Sequence, residues 1–74
     1  MNKGQEQKRE RFRRLAPQRT NSVLKRLKVL SNCSNRSAYD YTEEEITKMF
    51  SEIERKIRES KGKFYFPQNK EFKL

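Results

Sequence analysis

The chain has 74 residues, 31% of them hydrophobic and 39% charged, with a formal net charge of +9. So short and polar a chain makes one small domain at most and is expected to need a partner, whether a second copy, another protein or a nucleic acid. No apolar run approaches the ~20 residues that cross a bilayer, which argues against a membrane-bound chain.

The basic start is not followed by the apolar block of a signal peptide. A single cysteine, Cys33, excludes an internal disulfide and fits a reducing cytoplasm, where the protein is expected to act. The distribution of charge says more than its total. Residues 1–36 carry eleven Lys and Arg against two acids, Glu6 and Glu10, whereas residues 37–74 carry eight of each sign. The whole excess lies in the first half, a pattern that points to a polyanionic partner.

In chain order, residues 1–4 read as a frayed end. Residues 5 to about 31 favour helix, and Phe12, Leu15, Ala16, Val23, Leu27 and Leu30 fall within roughly 120° of one another, a stripe wide enough to face another helix. Pro17 interrupts it, because proline removes a backbone donor and crowds the preceding turn. Either one helix ends near Leu15 and another begins at Pro17, or a single long helix bends there. The unbroken phase of the stripe favours the single helix.

Residues 32–41 form an Asn/Ser-rich linker whose side chains compete with helix for backbone partners. Asn32 or Asn35 is a candidate left-handed C-cap.

The second helix is expected over 43–61. Thr42 and Glu45 have the spacing of a capping box, and Tyr41 and Ile46 that of a hydrophobic staple. Its apolar stripe is Ile46, Met49, Phe50, Ile53 and Ile57, and Phe64 would continue it. Glu44 and Lys48, Glu52 and Lys56, and Glu54 and Arg58 are each spaced for an i,i+4 ion pair. Gly62 is a plausible stop. Residues 62–74 hold Phe64, Tyr65, Phe66 and Phe72 around Pro67, which suits an extended aromatic tail. The expected fold is therefore all-α: a helical hairpin, with the basic first helix antiparallel to the amphipathic second and the tail closing one end.

Catalytic chemistry has little to work with. Histidine is absent, the lone cysteine has no activating partner, and two glycines cannot build a phosphate-cradling loop. No metal site, cofactor or small-molecule substrate is expected, and the chain reads as a non-enzyme.

The candidate site is a nucleic-acid surface: Lys8, Arg9, Arg11, Arg13, Arg14, Arg19, Lys25, Arg26, Lys28 and Arg36 to phosphates, with Asn32, Asn35 and Tyr39 as base or partner contacts. Arg11, Arg14, Lys25 and Lys28 point away from the apolar stripe and could form one outward ridge. Arg19 and Arg26 fall near the stripe, where a cation snorkels to the edge or pairs across an interface. The predominance of arginine places RNA slightly ahead of DNA. The alternative is a protein-interaction module, an inhibitor or assembly factor, working through the linker and aromatic tail. A homodimer of hairpins in a four-helix arrangement is a further expectation.

Two resemblances accompany this reading. The run Gln5-Glu6-Gln7-Lys8-Arg9-Glu10-Arg11-Phe12-Arg13-Arg14-Leu15 resembles the arginine-rich helical arms of phage antitermination proteins, which implies RNA-hairpin binding. The stretch 11–64, with Arg-Thr-Asn at 19–21, Leu-Ser-Asn-Cys-Ser-Asn at 30–35 and Tyr-Asp-Tyr-Thr-Glu-Glu-Glu at 39–45, is similar to a group of small bacterial helical proteins. That similarity implies a self-contained helical hairpin and no particular activity.

Overall fold

The computed structural model describes residues 3–66, with side chains from Gln7 onward. Among these residues it is all-helical: α1 over Lys3–Ser31, a single 3₁₀ turn over Asn32–Ser34, and α2 over Glu43–Lys61. The chain divides into two units, Met1–Asp40 and Tyr41–Leu74.

In the first unit, α1 passes through Pro17 as one 29-residue helix, so the two-helix alternative does not hold. It begins at Lys3, two residues before the expected start, because neither Gly4 nor Gln5 blocks helix in the way a proline would. Pro17 has no N–H to donate, so the Arg13 carbonyl lacks its usual i+4 partner. Hydroxyls on the same helix bond back to carbonyls four residues earlier. Thr20 donates to the Ala16 carbonyl at 2.8 Å, Ser22 to Gln18 at 3.1 Å and Ser31 to Leu27 at 2.9 Å. Such bonds satisfy the hydroxyls locally and allow a helix to bend.

The helix does not end on a left-handed asparagine. Among the described residues none has positive φ, and Asn35 is extended at φ −69° and ψ 104°. The chain instead tightens into the 3₁₀ turn, with Asn35 N–H donating to the Asn32 carbonyl at 3.4 Å. A turn follows in which the Asn35 carbonyl accepts from Ala38 N–H at 3.1 Å and Tyr39 N–H at 2.9 Å. The linker is thus a structured loop, and the short-range bonding typical of Asn and Ser supplies the alternative to a C-cap.

In the second unit, α2 starts as its sequence requires. Thr42 is extended, at φ −102° and ψ 157°, and its Oγ1 accepts from Glu45 N–H at 3.1 Å. Glu45 Oε1 accepts in return from Thr42 N–H at 2.9 Å, which completes the capping box. Tyr41 and Ile46 on either side of this box are both half-buried, as a staple needs. Glu43, Glu44 and Glu45 occupy the first turn and Arg58 and Lys61 the last, each favourable to the helix dipole.

The helix closes on Gly62 in a right-handed conformation, φ −64° and ψ −15°, so glycine is not required there for its backbone freedom. Gly62 N–H reaches the Arg58 carbonyl at 3.0 Å, and Lys63 and Phe64 continue with turn bonds to Ser60 and Lys61. Phe64 therefore leaves the helix before it can extend the stripe, since α2 has ended at Lys61. Pro67, Phe72 and the rest of 67–74, like residues 1 and 2 of the expected frayed end, lie outside the described residues.

Among the described residues no side chain is fully buried. Both helices therefore stand on local terms: backbone bonds, caps and side-chain pairs along one helix. Two substitutions test this. Thr42→Ala removes one half of the capping box and should cost about 1 kcal/mol of α2 stability, seen as reduced helical circular dichroism. Pro17→Ala restores a donor to the Arg13 carbonyl and replaces the worst helix former with the best, a difference of about 3 kcal/mol. It should raise α1 helicity and slow amide exchange around residue 17.

Candidate nucleic-acid interface

The structure carries nine of the ten sequence-predicted cations on α1: Lys8, Arg9, Arg11, Arg13, Arg14, Arg19, Lys25, Arg26 and Lys28. All nine are exposed. The tenth, Arg36, is exposed in the turn that follows the 3₁₀ segment. Sequence explains why little charge opposes the nine on α1. Between Glu10 and Asp40 the chain has no acidic residue, whereas Arg55 and Lys56 of α2 pair with Glu52 and Glu59. On α1 only Glu6 and Glu10 stand against these cations.

Their arrangement on the helix has two parts. At 100° per residue, Lys8, Arg9, Arg11, Arg13 and Arg14 surround the helix, with no gap wider than about 100°. Further along, Lys25 and Lys28 continue the side on which Arg11 and Arg14 stand, giving a ridge about 26 Å long. Arg19 and Arg26 lie on the side of Leu15, Ala16, Leu27 and Leu30, the half-buried members of the apolar stripe, and keep their charged ends in solvent. Phe12 and Val23 of the same stripe are half exposed. An open apolar hollow beside Pro17, lined by Phe12, Arg13, Ala16, Pro17, Thr20 and Asn21, interrupts the charge.

The linker residues have different fates. Asn35 is committed inside the loop: its Oδ1 accepts from Ser37 N–H at 3.1 Å and from Ser37 Oγ at 2.6 Å. Only its amide NH₂ is left to offer a base or a partner. Asn32 and Tyr39 are exposed, Tyr39 with about half of its surface open. Cys33 is also exposed.

On α2 the charges are matched, but by a residue the i,i+4 spacing did not single out. Arg55 binds Glu52 through two guanidinium nitrogens, with Nε at 3.3 Å from Oε2, and reaches Glu59 through Nη1 at 3.1 Å. Lys56 pairs with Glu59 at 3.4 Å rather than with Glu52. The expected Glu44–Lys48, Glu52–Lys56 and Glu54–Arg58 pairs are not among the ion pairs of the described residues. Arginine wins because its planar fork can hold one carboxylate three residues back while reaching another four residues ahead.

The hydrogen bond from Arg55, and then its charge, hold the Glu52 carboxyl below the ordinary carboxylate range; the same bond and charge push the Arg55 guanidinium above its usual value. Among the described residues there is no cluster able to hold a metal ion, and no helix is long and apolar enough to cross a membrane. No protein-family model, curated protein or solved structure matches the chain.

The Glu52–Arg55 contact carries a pH dependence of defined sign. Because the folded carboxyl is depressed, its contribution is present above the unfolded carboxylate range and is lost as pH falls through the folded value. An acid titration followed by circular dichroism should show α2 helicity falling at the low-pH end, and Glu52→Gln should remove that component while slightly lowering helicity at neutral pH.

Proposed function

We propose that the protein is a small non-enzymatic nucleic-acid-binding accessory factor that contacts phosphates through α1. The observation that carries this reading is the set of nine exposed α1 cations, seven of them in a stretch with no acid from Arg11 to Tyr39. Phosphate neutralisation by such cations releases condensed counterions, which drives binding without any built pocket. RNA stands ahead of DNA because four of the five cations over residues 8–14 are arginines, able to fork to phosphates and stack on exposed bases. The surrounding distribution of those five suits a helix lying between two phosphate walls. The ridge of Arg11, Arg14, Lys25 and Lys28 suits contact with one strand along its length.

The hairpin suggested by the sequence, with the α1 stripe laid on α2, is compatible with this function. The ridge lies opposite the stripe and would stay exposed.

A second reading has an observation of its own. Tyr39, Phe64, Tyr65 and Phe66 are exposed by 52%, 64%, 82% and 77% of their surfaces, a large aromatic offering for a protein partner.

Fluorescence anisotropy with labelled single- and double-stranded RNA and DNA, repeated across salt concentration, separates the two. The nucleic-acid reading expects binding that survives ~200 mM salt, with a log–log slope of roughly 0.7–0.9 per phosphate contacted. Reversing Arg11, Arg13 and Arg14 to glutamate should abolish that binding and leave helical circular dichroism intact. Weak binding that ignores ligand type and vanishes with salt would overturn it. Removal of residues 64–74 should leave nucleic-acid affinity unchanged, whichever protein contacts it disrupts.

A further inference from the structure

Among the described residues of its own unit, none covers the length of the α2 apolar stripe. Ile46 and Ile53 are half-buried, Met49 and Phe50 are each 37% exposed, and Ile57 is 51% exposed. These five side chains occupy only about 100° of the helix circumference, a seam of the width that one partner helix fills. What fills it is decided by charge. Over residues 43–54, α2 has five glutamates against one lysine; over 55–63 the chain has five cations against one glutamate. The helix is acidic at its start and basic at its end.

A parallel copy of α2 would set like charge on like. An antiparallel copy sets each acidic half on the other's basic half, and its register agrees with the apolar one. The stripe is centred between Phe50 and Ile53, so antiparallel pairing apposes Phe50 with the partner's Ile53 and Ile46 with the partner's Ile57. Glu45 and Lys56 border one side of the stripe, and Glu43 and Lys61 the other, at 100° per residue. In the same register Glu45 meets the partner's Lys56 and Glu43 meets the partner's Lys61. Both flanks are therefore self-complementary under a two-fold axis, as an isologous interface requires.

The first helix is a poorer cover. Folded back antiparallel, it would bring Lys25, Arg26 and Lys28 to the acidic end but set Arg11, Arg13 and Arg14 beside Arg58 and Lys61. Lys8, Arg9, Arg19 and Arg26 also break its stripe.

We infer that α2 is a self-association helix and that the occupant of its apolar face is α2 of a second copy, antiparallel. The two linkers then leave the pair at opposite ends, about 28 Å apart, and each presents one basic α1. Assembly needs no nucleic acid, so it stands or falls separately from the nucleic-acid reading.

The test is sedimentation equilibrium of the full chain, free of nucleic acid, over a broad concentration range. The mass should rise to that of two chains, and Phe50→Ser with Ile53→Ser should hold it at one while circular dichroism still reports helix. Glu43→Lys and Lys61→Glu should each weaken association several-fold, and the two together in one chain should restore it. Positions 43 and 61 lie about 27 Å apart along one helix, so that rescue can arise only between chains. A single-chain mass at every concentration would overturn the proposal and leave α1 as the cover. So would association that ignores the Phe50 and Ile53 substitutions, two charge changes whose losses add in the double variant, or charge changes that each strengthen association, the signature of a parallel pair.

Discussion

Each helix has to be held by interactions within a turn or two of itself, because the chain has few apolar side chains and the described ones are nowhere fully buried. Burial normally supplies most helical stability in proteins, and propensity alone leaves short helices marginal. α2 answers that constraint with a complete set of local devices: a capping box, half-buried residues placed for a staple, acids at its start, cations at its end and an arginine that links two glutamates. α1 has length instead, with 29 residues, and contains a proline that a shorter helix could not have absorbed.

The two helices differ in what they do with charge. On α2 the signs are balanced and partly paired, and the apolar residues gather on one side. On α1 the charge is almost all of one sign, and it surrounds the helix at the start of the chain. An apolar seam lined by balanced charge is suited to a specific protein surface, since mismatched partners are rejected by repulsion. An unbalanced basic helix is suited to a polyanion, whose phosphates are the missing counter-charge. The separation would let the proposed recognition of nucleic acid and the proposed assembly vary independently, with the bonded loop around Asn35 between them in the chain.

That loop illustrates how a candidate contact can be taken up by the fold. Asparagine is attractive for base recognition because its amide offers donor and acceptor together. In Asn35 the acceptor is already occupied by Ser37, whose N–H and hydroxyl both reach it. Asn32 and Tyr39, a few residues away, keep their exposure.

Much of this was legible from residue order. The extent of α2, its Thr42–Glu45 box and its apolar stripe follow from spacings within a few residues, where helix geometry leaves little choice. The excess of positive charge on α1 follows from residue order, since only Glu6 and Glu10 precede a run without acids that extends to Asp40. The three-dimensional structure decided what depends on competition between near-equal local options. It carried α1 through Pro17, because the fourteen helical residues on either side of the proline outweigh one lost bond. It ended α1 in a 3₁₀ turn, because short Asn and Ser side chains bond to their own backbone as readily as they cap. It gave Glu52 and Glu59 to Arg55, because a rigid planar fork reaches both where a lysine makes a single contact.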